Sequence, residues 1–212
     1  MMENETNNEV EISEKEKDRK STIYFLIAVG IIIFLIGGIL LIKHFYKPII
    51  KNPTVEYNNF IFEKKENLWF TQVQIGGQLY NVPLHYNPYQ MQNVSITGKI
   101  DQRFGNGSIY VTHDPAEGNL GFVAVTTAEL SLNMVTAFQS DLIPACARNF
   151  TEACSIRPII NCENTNKGVL YVKEANVTKV ELKGNCVVIQ GQGLELLRAA
   201  DRVLYSWYKV MK

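Results

Sequence analysis

The chain has 212 residues and a formal net charge of zero, because its 21 acidic side chains balance its 21 basic ones. This balance argues against a nucleic-acid-binding domain, in which Lys and Arg are in clear excess. Hydrophobic residues make up 46% of the chain, and its many Tyr and Phe side chains are typical of a β-rich core.

The first predicted element is a membrane-spanning helix at 21–43. Residues 21–42, "STIYFLIAVGIIIFLIGGILLI", contain no charged side chain. At ~1.5 Å per residue they cross the ~30 Å hydrocarbon core of a bilayer. The apolar part of a signal peptide is shorter, about 7–15 residues, and ends at a small-residue cleavage site. We therefore predict an uncleaved anchor at 21–43, preceded by a disordered polar tail at 1–20.

A predicted juxtamembrane linker at 44–57 and a single extramembrane domain at 58–212 follow the anchor. The clearest local pattern in the domain is a β-hairpin. Two runs with alternating hydrophobicity, 69–75 and 78–84, flank a Gly-Gly pair. Both glycines accept the positive φ angles that a two-residue hairpin turn requires.

The middle of the domain is predicted to contain further strands and one helix. Asp114-Pro115 marks a turn, and "TTAELSLNMVTAF" has helical spacing, with Thr126 or Thr127 as its N-cap. A loop that contains cysteines follows this helix. Short alternating or apolar runs predict strands at 59–62, 94–100, 108–113, 120–125, 168–173, 177–182 and 186–190.

The last predicted element is the amphipathic helix "GLELLRAADRVLYSWYKVMK", whose apolar face includes Trp207 and packs on the sheet. Asp201 falls at the edge of this face, and we expect it to form an ion pair with Arg198 or Arg202. Several strands and one or two helices in one domain predict an α+β fold behind the transmembrane helix.

Four cysteines, Cys146, Cys154, Cys162 and Cys186, follow the spacing C-x7-C-x7-C-x23-C. Structural zinc sites often contain a short C-x2–4-C knuckle, and thioredoxin-type sites contain C-x-x-C. Because neither spacing occurs, an even number of clustered cysteines beside an anchor predicts two disulfides in an oxidising compartment. We expect Cys162–Cys186, with both cysteines at strand ends, and a local Cys146–Cys154 loop; the other two pairings stay open.

The orientation of the anchor follows from the cysteines more than from its flanking charges. Four basic residues precede the span and three follow it closely, so the positive-inside rule does not decide. The disulfides favour a cytoplasmic N-terminus and a domain outside the cell membrane. Four sequons point the same way as candidate glycosylation sites, although each Asn equally suits a plain turn. They begin at Asn93, Asn106, Asn149 and Asn176.

Four segments together resemble a group of uncharacterised archaeal single-span membrane proteins. The segments are "NVPLHYNP" (81–88), "ACARNFTEACSIRPIINCEN" (145–164), "GNCVVIQG" (184–191) and "LRAADRVLY" (197–205). Those proteins have a short polar tail, one span and an extracytoplasmic domain that ends in a Cys-bearing strand and an "AADR" helix. The resemblance implies an archaeal cell-surface setting and supplies no activity or catalytic residues.

The candidate chemical groups of the domain are few. His85, His113 and Asp114 are the residues on which a hydrolase would depend, but none belongs to a recognisable catalytic motif. We therefore expect a non-enzymatic domain without metal or cofactor, which binds or assembles with a protein or envelope partner. A membrane-anchored hydrolase with a His/Asp site is the alternative, and a domain that faces the cytoplasm with reduced thiols is the third option. The partner's identity and the oligomeric state stay open.

Overall fold

The computed structural model describes residues 23–42, 52–105, 107–118 and 120–212. The chain divides into two compact units, Met1–Lys51 and Asn52–Lys212, and each is described by itself. The predicted polar tail at 1–20 and residues 44–51 of the predicted linker lie outside the described residues.

The described part of the first unit is one helix, α1 (Ile23–Ile42). An 18-residue window within it has a mean hydropathy of 3.2, and the helix has 20 residues. At ~1.5 Å per residue they extend over ~30 Å, the thickness of a bilayer's hydrocarbon core. The structure thus confirms an N-terminal apolar helix that is long enough to cross a membrane.

The second unit contains a four-stranded antiparallel sheet in the order β1-β2-β3-β4. Its strands are β1 (Thr54–Tyr57), β2 (Phe60–Lys65), β3 (Leu68–Ile75) and β4 (Gln78–Leu84). The predicted hairpin is confirmed, because β3 pairs with β4 and both turn residues, Gly76 and Gly77, have positive φ. β1 pairs with β2 along its whole length, so the sheet begins inside the range 44–57 for which a linker was predicted.

A second sheet has six strands in the order β5-β9-β10-β8-β6-β7. The strands are β5 (Ser95–Gly98), β6 (Ile109–His113), β7 (Leu142–Cys146), β8 (Val169–Glu174), β9 (Lys179–Lys183) and β10 (Cys186–Gly191). The β9–β10 pair is antiparallel, and the other four pairs are parallel. Five of these strands lie where the sequence predicted strands, whereas β7 lies in the region predicted to be a cysteine loop.

The predicted strand at 120–125 is wrong, because helix α2 (Leu120–Phe138) begins there. The run "LGFVAV" is short and apolar, and such a run does not distinguish a buried strand from a buried helix. No turn residue separates it from the helical pattern that follows. The helix therefore continues through both segments and connects the parallel strands β6 and β7.

The C-terminal helix α4 (Leu194–Trp207) lies against β10 and beside α2, as its amphipathic pattern predicted. Tyr205 packs edge-on against Phe62 of β2, with 5.7 Å between ring centroids. Trp207 contacts the rings of Phe104 and Phe138. The two helices thus share one apolar core with both sheets, which confirms the predicted α+β fold.

Candidate functional site

The chemistry-bearing residues of the domain gather on two sides of helix α2. Successive residues of a helix are ~100° apart around its axis, so the buried and exposed positions of α2 form two separate arcs. The inner side consists of the buried residues Val123, Thr126, Glu129, Leu130, Asn133, Met134 and Ala137. The outer face consists of the exposed residues Leu120, Gly121, Ala124, Val125, Ala128, Leu132, Val135 and Thr136.

On the inner side, Glu129 holds a histidine at the end of β4. Its Oε1 atom lies 2.8 Å from Nδ1 of His85 and accepts a hydrogen bond from the His85 backbone N–H at 3.2 Å. The Glu129 side chain is buried, whereas that of His85 is about one third exposed. The adjacent carboxylate raises the pKa of His85, because it stabilises the protonated ring.

A second carboxyl group, that of Asp201 in α4, is fully buried next to Glu129. Its Oδ2 atom accepts a hydrogen bond from the backbone N–H of Tyr86 at 2.7 Å. Burial, and then the Glu129 carboxylate, raise the pKa of Asp201 well above its ordinary range. Within the described residues, no group apart from these two carboxyl groups themselves is a hydrogen-bond partner of Asp201 Oδ1 or Glu129 Oε2. A protonated Asp201 that donates to Glu129 satisfies both oxygens.

Two buried tyrosines of the C-terminal segment complete this inner cluster. The hydroxyl of Tyr205 donates to the carbonyl oxygen of Tyr86 at 2.6 Å, and that of Tyr208 donates to Asn133 Oδ1 at 2.7 Å. The amide of Asn133 in turn donates to the carbonyl oxygen of Pro83 at 3.2 Å. Burial raises the pKa of both tyrosines, so they stay neutral donors. The cluster therefore joins α2, α4 and β4 through hydrogen bonds.

The predicted ion pair of Asp201 with Arg198 or Arg202 is wrong. Arg198 pairs with Glu195 at 2.7 Å, and Arg202 is buried and donates to the carbonyl oxygen of Val94 at 3.3 Å. Asp201 faces α2 instead, where its partner is a second acid. The helical periodicity of α4 places Asp201 near the edge of the apolar face. It does not show that α2 packs against that edge.

On the opposite side, a groove of about 390 Å³ runs between α2 and the strands β6 and β7. Its size lies in the range of ligand-binding clefts. Larger grooves elsewhere in the described part of the domain, of about 810, 620 and 440 Å³, are lined mainly by polar side chains. The smaller groove is lined by Val111, His113, Leu120, Val123, Ala124, Thr127, Ala128, Pro144, Ala145 and Arg157.

Two cationic or potentially cationic side chains, His113 and Arg157, lie in this otherwise apolar groove. Burial lowers the pKa of His113, and the nearby charge of Arg157 lowers it further. Asp114, which follows His113, forms an ion pair with Arg148 and accepts a hydrogen bond from the Ala116 N–H at 3.0 Å. Its carboxylate is therefore already occupied.

The structure does not bring the three residues of the hydrolase hypothesis into one cleft. His113 lines the groove on the outer side of α2, while His85 contacts Glu129 on the inner side. Thr127, which lines the same groove as His113, is ~160° around the helix from Glu129. Asp114 is engaged with Arg148.

Two disulfides fix the loop that carries Arg157, and the predicted pairing is confirmed. Cys146 bonds to Cys154, and Cys162 bonds to Cys186. Cys146 ends β7 and lies opposite His113 in the strand register. Its bridge to Cys154, three residues before Arg157, therefore holds the loop beside the groove. The short helix α3 (Glu152–Ser155) lies in this loop.

The sequon asparagines Asn93, Asn149 and Asn176 are exposed, while Asn106 lies outside the described residues. The side-chain oxygen of Asn93 accepts a hydrogen bond from Arg198, and glycosylation at all four positions remains a prediction. In the part of the chain that the structure describes, no group of three or more His, Cys, Asp or Glu side chains is arranged to hold a metal ion.

Neither Glu129, which connects His85 to Asp201, nor Arg157 was predicted from the sequence. A signal for Glu129 was present, because it is the one charged residue in the 19-residue sequence of α2. A lone acid in an apolar helix that packs in a core is expected to have a buried partner. Arg157 had no comparable signal, since its position beside His113 depends on the fold of the disulfide loop.

Comparison with protein-family models, with curated proteins and with solved structures finds no match for this chain. The resemblance to archaeal single-span proteins therefore remains an expectation from the sequence.

Proposed function

We propose that the protein is a single-pass membrane protein whose exterior domain binds a protein or envelope partner through the outer face of α2. The N-terminal tail lies in the cytoplasm, and the domain that begins at Asn52 lies outside. An archaeal cell-surface setting, expected from the sequence resemblance, is part of this proposal.

The apolar helix α1 and the two disulfides support the proposed location. A helix of this length and hydropathy suits a bilayer, and disulfides persist in oxidising compartments.

The single observation that carries the proposed function is the composition of the outer face of α2. None of its eight residues is charged, Thr136 is its one polar side chain, and Val125, Leu132 and Val135 are each about half exposed. In the disulfide loop that carries Arg157, Phe150 and Ile156 are exposed as well. Contiguous exposed apolar surface of this kind marks interaction sites, and apolar contacts form the centre of protein interfaces.

Affinity capture of the full chain from native membranes tests this proposal. Leu132→Asp and Val135→Asp place a charge on the outer face, and we expect each to remove the partner that the wild-type chain captures. Leu79→Asp is the control, because Leu79 is an even more exposed apolar residue on the hairpin strand β4. A partner retained by both α2 variants would place the interface elsewhere.

A membrane-anchored hydrolase remains the second candidate, because a buried carboxylate positions His85 as it would position a catalytic base. This candidate requires His85 for function in a folded protein. His85→Ala and His113→Ala, made singly and together, are expected to leave function intact. Loss of function in a well-folded His85→Ala protein would favour the hydrolase.

A further inference from the structure

We propose that the groove beside the outer face of α2 receives an apolar peptide segment of the partner whose carboxylate is bound by Arg157 and His113. This inference rests on the proposed function, because it assigns a chemistry to the partner at the same surface. It concerns a charge contact that the proposed function does not require.

The groove has an apolar wall and a cationic part. Its wall is built from aliphatic and other small side chains of α2, β6 and β7, among them Leu120, Val123 and Ala145. His113 and Arg157 lie in the same groove. A ligand that fills it therefore combines apolar groups with a group that accepts hydrogen bonds from cations.

The side chains of Arg157 and His113 make no hydrogen bond within the described part of the domain. Among the described residues, no side chain or carbonyl group accepts a hydrogen bond from the Arg157 guanidinium or from the His113 ring. The nearest acid in sequence, Asp114, is paired with Arg148. No acidic side chain lines the groove. An incoming carboxylate thus meets an unneutralised guanidinium, the group best suited to bind it with two hydrogen bonds.

The groove is continuous with the outer face of α2, and this continuity favours a peptide over a small amphiphile as the ligand. Leu120, Ala124 and Ala128 belong both to the groove and to the outer face. The apolar surface therefore continues along α2 past Leu132 to Val135. A specific protein interface covers about 800 Å² on each partner, far more than one small groove, and a segment that enters the groove would extend onto this face.

The fold also holds the cationic part in place. The Cys146–Cys154 bridge and the hydrogen bond from the Cys146 N–H to the Pro158 carbonyl oxygen, at 3.1 Å, fix the loop around Arg157 to β7. A preorganised binding group loses little conformational freedom when its ligand arrives.

Two photoreactive probes of identical apolar content test the inference on the full chain in lipid nanodiscs. One is N-acetyl-leucyl-photoleucine with a free carboxylate, and the other is its carboxamide. We expect the carboxylate probe to bind roughly three- to tenfold more tightly, the range for a partly exposed charge-assisted contact. Cross-links should map to the Leu120–Thr127 segment or to the loop around Arg157.

Arg157→Gln is expected to abolish the difference between the two probes, and Arg157→Lys to restore part of it. Lys99→Gln removes the same charge from an exposed position on the other edge of the sheet and should change nothing. Equal binding of the two probes to the wild-type chain would overturn the inference, as would an unchanged preference in Arg157→Gln. Decanoate that displaces the carboxylate probe at a concentration below the probe's own Kd would assign the groove to a lipid and overturn it too.

These outcomes are distinct from failure of the proposed function. If Leu132→Asp removes the partner but the probes bind equally, the interface stands and its charge contact is wrong. If the probes differ but Leu132→Asp and Val135→Asp still capture the partner, the groove binds carboxylates without being the partner site.

Discussion

The inner and outer sides of helix α2 each contact one histidine of the domain, but the two histidines lie in opposite environments. On the inner side, His85 lies 2.8 Å from Glu129, Asp201 accepts a hydrogen bond from the Tyr86 N–H, and Tyr208 donates one to Asn133. On the outer side, His113 lies in an apolar groove beside a guanidinium without a partner in the described fold. Polar groups that are paired inside the core serve stability, whereas groups left unpaired at an apolar surface remain free to bind a ligand.

The largest expected difference between the two sides comes from two leucines that are two residues apart. Leu130 is fully buried on the inner side, and Leu132 is half exposed on the outer face. Leu130→Ala should lower the free energy of unfolding by about 3 kcal/mol through lost burial and the cavity left behind. Leu132→Ala should change it by less than about 0.5 kcal/mol. Equal losses in denaturant unfolding would show that the outer face is packed against another part of the chain.

Trp207→Ala tests the packing of α4 against the inner side of α2. Trp207 contacts the rings of Phe138 and Phe104 but is only partly buried, so we expect a loss of about 2–3 kcal/mol, near the lower limit for such substitutions. Phe150→Ala removes an exposed aromatic ring and is the control. An unchanged melting temperature for Trp207→Ala would mean that α4 contributes little to the core.

Asp201→Ala should cost about 2 kcal/mol, because it leaves the Tyr86 N–H and one Glu129 oxygen buried without a partner. Asp201→Asn should cost less, since its amide accepts from Tyr86 and donates to Glu129. If the two variants are equally destabilised, Asp201 does not act as a protonated donor to Glu129.

The smallest effects are the pH dependences, which are expected to have opposite signs at the two histidines. The raised pKa of His85, which faces Glu129 and Asp201, means that its contribution to stability is complete below its ordinary pKa of 6.5 and is lost at higher pH. The lowered pKa of His113, which faces Arg157 and Asp114, means that its contribution is present above 6.5 and is lost as the pH falls.

Denaturant unfolding between pH 5 and pH 8 checks these signs. The stability difference between wild type and His85→Asn should shrink as the pH rises, and that between wild type and His113→Asn should shrink as the pH falls. The same sign for both variants would contradict the contrast between the two environments.

Much of the fold was predictable from local patterns. The hairpin followed from alternating hydrophobicity around Gly76-Gly77, and α1 and α4 followed from composition and periodicity. The disulfide pairing was also correct, although only Cys186 lies at a strand end and Cys162 lies in a bend. Each of these features depends on residues close together in the sequence or on a covalent bond.

The functional surfaces were less predictable, because they depend on which elements lie side by side. The run at 120–125 satisfies both strand and helix patterns, and only the tertiary fold shows that it begins α2. Asp201 was assigned a partner one turn away on its own helix, whereas its partner Glu129 lies in another helix 72 residues earlier in the chain. Arg157 and His113 lie in one groove only because the chain crosses from β6 to β7, and no local sequence pattern shows this.

The central claim is that the outer face of α2 is the partner-binding surface of a domain outside the membrane. Site-specific photo-cross-linking in intact cells tests it directly, with a benzophenone side chain placed at Leu132 or, as a control, at the more exposed Leu79. We predict a discrete higher-mass product from position 132, which externally added protease degrades, and none from position 79. A product from position 79 alone, or a product from position 132 that resists protease in cells shown to admit it, would contradict the account.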